Sequence, residues 1–304
     1  LLAGLCREPA PLTAVPALRS LRYADRERAA AACASLAGAD QPRRLRLQVV
    51  ENCRWLKRRD SIPPLITILG SARGRLQLEA REALVALTGK KYGTEARSWR
   101  RWWRQEGRDF DPHRKEKGKT KGRHEGGRGW GYYHGHQVTS DRIAFVIDGS
   151  GSMRRPLGTD GRSRYEKASR ELARLLGEMP ARTLFNILFF STGPVAWREE
   201  LVPATPKNKE KAEKFLLRFS PGGLTNLLDS LVAAMRMEQV DTIYVLSDGA
   251  PSAGAHRYRR LFVQEVRREN LFAKVRIHTI CFGGGSRNKK LLAALADATG
   301  GESR

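Results

Sequence analysis

The sequence predicts two domains of different class, an all-α amino-terminal part and an α/β carboxy-terminal part with a doubly wound, mostly parallel sheet. Three observations carry this. From Leu1 to about Gly107, Ala- and Leu-rich runs recur at helical spacing with no strand pattern. From Asp141 to the end, short apolar runs alternate with helical ones, and that alternation specifies a parallel sheet with helices on both faces and right-handed crossovers. Between them, over residues 108–140, periodicity disappears. The expected divisions are therefore 1–107, 108–140 and 141–304.

In the first division, Val15–Leu21 is followed by Arg26–Gly38, and Ile62–Leu69 by Leu76–Gly89. Each pair opens with Pro in an apolar helix and closes with Gly38 or Gly89 as a helix C-cap. The offset from Pro16 to Pro64 matches the ~40–50 residue period of α-solenoids, and this half resembles HEAT repeats. A further helical run, Arg43–Arg58, stands between the two pairs and departs from a tidy repeat. The opening Leu1-Leu2-Ala3-Gly4-Leu5-Cys6 carries no Met and reads as the end of a helix in preference to the tail of a signal peptide, so further repeats are expected upstream. Ala96–Gln105 sets Trp99, Trp102 and Trp103 in one stripe among Arg97, Arg100, Arg101 and Arg104. Such a helix either caps the last repeat or offers stacking faces to single-stranded nucleic acid, and burial of the indoles decides between them.

Charge is the unusual property of this composition. The 304 residues include 56 Lys and Arg against 32 Asp and Glu, a formal net charge of +24 with a pI near 10.6. An excess of this size favours polyanions, RNA among them, through attraction that salt weakens; a solvated Arg-rich surface is the alternative. Residues 108–140 concentrate Arg114, Lys115, Lys117, Lys119, Lys121 and Arg123 among Gly and polar residues. That composition reads as a self-repelling linker, with a polyanion-binding arm as the functional alternative. His134-Gly135-His136 lacks acidic or Cys partners at fixed spacing and is given no metal. Cys6, Cys33, Cys53 and Cys281 show no paired short spacing, and no apolar run approaches the ~20 residues of a membrane span.

The third division opens with a strand, Arg142–Ile147, which runs into Asp148-Gly149-Ser150-Gly151-Ser152-Met153. A buried strand ending in a carboxylate followed by alternating glycines and hydroxyls lies at the carboxyl edge of the sheet, where open α/β sheets bind ligands. An Arg-rich insertion, 154–164, leads to a helix over 165–176. Thr183–Phe190 is the second strand and 195–197 a short edge strand. The helix over 207–219 precedes the turn-rich loop Ser220-Pro221-Gly222-Gly223-Leu224-Thr225-Asn226, which opens into the helix over 227–235. Thr242–Leu246 then repeats the opening design, ending in Ser247-Asp248-Gly249. A helix over 257–270, a strand over 274–281 and a helix over 289–298 complete the pattern. Parallel neighbours would set Asp148 and Asp248 side by side, and two carboxylates that close repel unless something positive lies between them.

Asp148-x-Ser150-x-Ser152, Thr225 and Asp248 resemble the five-residue metal-ion-dependent adhesion site of von Willebrand factor type A domains, in order and in setting. The resemblance implies that Ser150, Ser152 and Thr225 touch the ion while Asp148 and Asp248 act largely through bound water. Five oxygen donors with no His or Cys favour Mg2+, or Mn2+ or Ca2+, over zinc or copper. It also implies a non-enzymatic adaptor whose protein partner supplies an Asp or Glu carboxylate to the metal, and a Rossmann-like fold whose final strand follows Ala298-Thr299-Gly300-Gly301, beyond the residues given. Helical repeats followed by a type A domain are similar in order to Ro-like RNA-binding proteins, which is the alternative function. Rival motifs fail: no Gly-Lys-Ser/Thr follows Gly149 or Gly222, and Ser150 is out of register for a nucleophile elbow.

Overall fold

A computed structural model describes residues 11–107, 109–112, 129–254 and 258–304. The chain divides into two compact units, one within residues 1–128 and one over Gly129–Arg304. The basic run Arg114, Lys115, Lys117, Lys119, Lys121 and Arg123 lies outside the described residues.

Among its described residues the first unit is all-α: α1 Pro11–Ala24, α2 Arg26–Ser35, α3 Arg43–Leu56, α4 Ile62–Ser71, α5 Gly74–Thr88 and α6 Ala96–Glu106. Asp25 starts α2 by accepting hydrogen bonds from the Glu27 and Arg28 N–H groups. Gly89 closes α5 in the left-handed conformation at φ 70°, as its type predicts. Gly38 does not close α2: the helix stops at Ser35 with Leu36 as its cap, and Leu36 and Ala37 turn into the core. The run between the two helix pairs is no interruption, because α3 packs against both α1 and α5 and contributes Val49, Cys53 and Leu56 to one shared core.

Trp99 and Trp102 are buried, and their indole N–H groups donate to the Gly93 carbonyl at 2.9 Å and to Glu106 Oε2 at 2.8 Å. Their rings belong to the core of the unit and present no stacking face. Trp103 is half-buried beneath the Arg59 guanidinium. Trp99→Ala is expected to cost the unit about 3–5 kcal/mol through lost transfer energy and the cavity left behind. Urea unfolding followed by circular dichroism reads the effect, with Trp103→Ala distinctly milder.

The second unit opens with a feature the sequence reading placed in the linker. β1 Gly131–Tyr133 and β2 His136–Val138 form an antiparallel hairpin, turned by His134 at φ 45° and Gly135 at φ 81°. Tyr133 and Val138 are fully buried, and Trp130 Nε1 donates to the Ser140 carbonyl at 2.8 Å. Burial of these side chains anchors a stretch too short to show periodicity.

The main sheet runs β5-β4-β3-β7-β8, with β6 also pairing β4. Its parallel strands are β3 Arg142–Asp148, β4 Leu184–Phe190, β7 Thr242–Ser247 and β8 Arg276–Cys281. β5 Pro194–Ala196 and β6 Val202–Pro203 lie antiparallel to β4. The helices are α7 Arg164–Glu178, α8 Pro206–Arg218, α9 Leu227–Arg236, α10 Arg259–Ala273 and α11 Ser286–Thr299. Alternation along β3 sorts two cores. Ala144 and Val146 face α9, α10 and α11; Ile143, Phe145 and Ile147 face α7, α8 and the hairpin. The approach to a final strand is present within the chain: the Thr279 N–H donates to the Glu302 carbonyl and the Arg304 N–H to the Thr279 carbonyl, both at 2.9 Å, so the last residues begin a parallel pairing with β8. Among the described residues no helix is long and apolar enough to cross a membrane.

Candidate functional site

Parallel register fixes the geometry. Ile147 of β3 stands opposite Leu246 of β7, so Asp148 falls beside Ser247 and Asp248 one residue beyond. The Ser247 hydroxyl donates to Asp148 Oδ2 at 2.8 Å, and the Ser150 N–H donates to Asp148 Oδ1 at 2.9 Å. Ser150 and Ser152 hydroxyls share a hydrogen bond at 3.0 Å, and Ser152 Oγ donates to Asp248 Oδ1 at 2.7 Å. Asp148, Ser150, Ser152 and Asp248 are thus joined at the carboxyl edge of the sheet, the first link through the Ser150 N–H and the next two through hydroxyls.

Thr225 joins through its loop. The Gly222 N–H donates to the Gly149 carbonyl at 2.7 Å and the Gly151 N–H to the Gly223 carbonyl at 3.3 Å, which laces the two loops together. The Thr225 N–H donates to Ser252 Oγ at 2.9 Å, tying the same loop to the segment after β7. Asn226 caps α9 by accepting from the Asp229 N–H and also donates to the Thr192 carbonyl. Thr225 is buried, one residue before that cap.

Two glycines are demanded by space and dihedral respectively. A Cβ at Gly149 would lie 2.5 Å from Phe219 Cζ, whose ring stacks on Phe189. Gly223 has φ 75°, the left-handed region that glycine enters freely. Neither Gly149 nor Gly151 takes a positive φ, so in the Asp148–Ser152 loop glycine answers to packing more than to turn geometry.

The electrostatics are those of acids taken out of water. Asp148 is fully buried, and burial pushes its carboxyl above the usual range; hydrogen bonds from Ser150 and Ser247 pull the other way, and the Asp248 charge pushes up again. Ionised Asp148 therefore costs the fold stability that a nearby cation restores. One cation is built in. Arg164 Nη1 lies 2.5 Å from Asp248 Oδ2, with the Asp248 side chain wholly shielded from solvent. Arg164 is held there by the start of α7, where Ser163 and Glu166 form a reciprocal capping box. Arg154, from the same insertion, donates through Nε to the Pro221 carbonyl at 2.6 Å and braces the Thr225 loop.

All five residues singled out in the sequence lie on these laced loops. The partners missed were Ser247, Arg164 and Ser252. The capping box Ser163-x-x-Glu166 ahead of an apolar pattern was the available signal for Arg164, since it places that residue at the first helical position.

A family model for the von Willebrand factor type A domain matches residues 141–304. The chain belongs to that family, whose domains serve protein–protein interaction and commonly bind a divalent metal. Inter-alpha-trypsin inhibitor heavy chain H3 of Mesocricetus auratus is 31% identical over 161 residues, which is 49% of this chain and 17% of that protein. The von Willebrand factor A domain-containing protein 3B of Homo sapiens is 28% identical over 168 residues, 55% of this chain and 12% of that protein. The chain thus spans less than a fifth of the length of either curated relative. Among solved structures, a von Willebrand factor type A protein from Catenulispora acidiphila aligns with a TM-score of 0.45 at 18% identity, over 55% of this chain and 38% of that one.

Removing Arg164 leaves a buried carboxylate beside a second one with no cation. Arg164→Met is expected to destabilise the metal-free protein by about 3 kcal/mol, the scale for breaking a shielded ion pair from one side. Differential scanning calorimetry in EDTA reads it.

Proposed function

We propose that the type A domain is a non-enzymatic protein-binding adaptor in which Asp148, Ser150, Ser152, Thr225 and Asp248 hold Mg2+, or Mn2+ or Ca2+ in its place. A Glu or Asp side chain of the partner protein completes the shell. The observation that carries this reading is the hydrogen-bonded run from Asp148, which accepts from the Ser150 N–H, through the Ser150 and Ser152 hydroxyls to Asp248. The donors are hard oxygens only, which suits these cations, and the raised Asp148 carboxyl is a buried acid in want of positive charge.

When bound, the ion supplies an electrophilic position for an incoming carboxylate. The residues do the rest. Neutral hydroxyls from Ser150, Ser152 and Thr225 contribute donors without charge and so leave that position strongly attractive. Ser247 orients Asp148 from outside, as hydrogen-bonded supports of metal ligands do. Arg164 competes with the ion for Asp248 Oδ2 and sets the cost of loading.

The HEAT-like helical unit is read as a second interaction surface. The alternative, a Ro-like RNA-binding protein, rests on the +24 net charge, and the burial of Trp99 and Trp102 deprives it of their stacking faces.

Calorimetric titration with Mg2+ is expected to give one binding event that Asp148→Asn abolishes and Ser247→Ala weakens by roughly 10–100-fold. Unchanged affinity in Asp148→Asn overturns the assignment. Arg164→Met is expected to show the larger rise in melting temperature on adding Mg2+. Partner capture should be lost in EDTA and in Asp248→Ala; capture that survives both and disappears after nuclease treatment supports the RNA reading instead.

A further inference from the structure

A second group of ligating side chains stands apart from the carboxyl-edge site. His136 of β2, His278 of β8 and Glu302 of the carboxy-terminal segment each offer one donor atom, and these atoms lie within 4.8 Å of one another. His278 pairs in register with Tyr244, and Tyr244 with Phe145, which precedes Asp148 by three residues. The group therefore lies ~10 Å back along the strand direction from the Asp148 edge.

His136 is the informative member. Its ring is fully buried, and Nε2 lies 3.3 Å from the Thr279 carbonyl. A carbonyl only accepts, so the proton sits on Nε2 and Nδ1 carries the lone pair. Nδ1 is buried with no hydrogen-bond partner and points at Glu302 Oε2, 3.5 Å away. An orphaned ring nitrogen in a core is costly, and its geometry here is that of a metal-ligating histidine: one nitrogen fixed by a backbone acceptor, the other turned inward.

The remaining donors are placed around it. The His278 ring stacks on Tyr244, with centroids 5.0 Å apart and planes 16° apart, and meets the His136 ring edge-on at 5.2 Å. The His278 imidazole is thereby locked in orientation, and the Glu302 N–H donates to its Nδ1 at 3.3 Å. Glu302 is carried to the site by the pairing of its segment with β8. Its carboxylate is exposed, 3.5 Å from His136 Nδ1 and 3.7 Å from the Arg304 guanidinium.

We propose that His136, His278 and Glu302 form a Zn2+ site that joins the amino-terminal hairpin of this unit to β8 and its carboxy-terminal segment. Two imidazoles and one carboxylate suit zinc, with distances of ~2.0–2.2 Å and a fourth position left to water or a partner's donor. Two ligands on a tetrahedral ion of that size stand ~3.4 Å apart, which is the separation His136 Nδ1 and Glu302 Oε2 already have. The hard-oxygen edge and this nitrogen-bearing group thus select different cations. The inference is independent of the Mg2+ reading, since it shares no residue with it.

The test uses the untagged full chain in excess Mg2+, titrated with Zn2+ by calorimetry and with Co2+ by visible absorption. One equivalent of Zn2+ is expected, with Co2+ giving the intense d–d bands of a four-coordinate ion. Glu302→Gln is the decisive variant, because the side chain is exposed and its loss spares the core. It and His278→Ala are expected to weaken Zn2+ binding by more than roughly tenfold, while Asp148→Asn leaves it unchanged. His136→Ala adds a third reading where circular dichroism shows it folded. No stoichiometric Zn2+ binding, equal binding in Glu302→Gln, or loss of binding only in Asp148→Asn overturns the proposal.

Discussion

Two carboxylates withdrawn from water at adjacent strand ends impose the constraint on which the rest of the second unit turns. Asp148 is fully buried and the Asp248 side chain is wholly shielded. Charge buried without compensation costs several kcal/mol, so the fold must bring donors and cations to that edge or neutralise the acids. It does the former: Ser247, Ser150 and Ser152 direct hydrogens at them, and Arg164 supplies a positive charge. The loops that carry these groups are laced to one another by backbone hydrogen bonds, so the constraint reaches from β3 to the start of α9.

Much of this was legible because strands of a parallel sheet end in step. An apolar run closed by Asp-Gly, met twice, places two acids at one edge without further information, and the hydroxyls at spacing two follow from the same loop. Arg164 was harder, since an Arg-rich insertion names no single residue; only the capping box fixes which guanidinium turns inward. Ser247 was invisible for a different reason. It is the last residue of a strand, and its hydroxyl faces Asp148 because of a register that no local pattern records.

Long-range pairing explains the larger omissions too. His136 looked metal-poor in sequence because its companions lie at positions 278 and 302 and are brought in by β8 and the segment paired with it. The hairpin over 131–138 reads as linker in sequence because three-residue strands carry too few alternations to count, while its stability comes from burying Tyr133 against Phe145 and Tyr244. In the helical unit the amphipathic runs were plain, and so was Gly89. Gly38 misled because a glycine just past an Ala-rich run looks like a cap, whereas burial of Leu36 had already ended the helix.

Charge at the Asp148 edge bears on what the site accepts. Asp148 and Asp248 together offer two negative charges, which one divalent ion cancels, and the hydroxyl donors add none. Arg164 then remains as surplus positive charge, with Arg154 braced at the neighbouring loop. A loaded edge would therefore be electropositive. Such a field would draw acidic groups from a distance and repel basic ones, so on the proposed reading charge complementarity would set both the approach and the final ligand. On the proposed reading Arg164 would have two opposed effects: it would weaken the hold on the ion by occupying Asp248, and it would strengthen the attraction for a carboxylate once the ion is in place. On that reading a neutral residue at 164 would give a tighter metal and a less demanding partner site, which would make that one side chain the point where cation affinity and partner selectivity are set against each other.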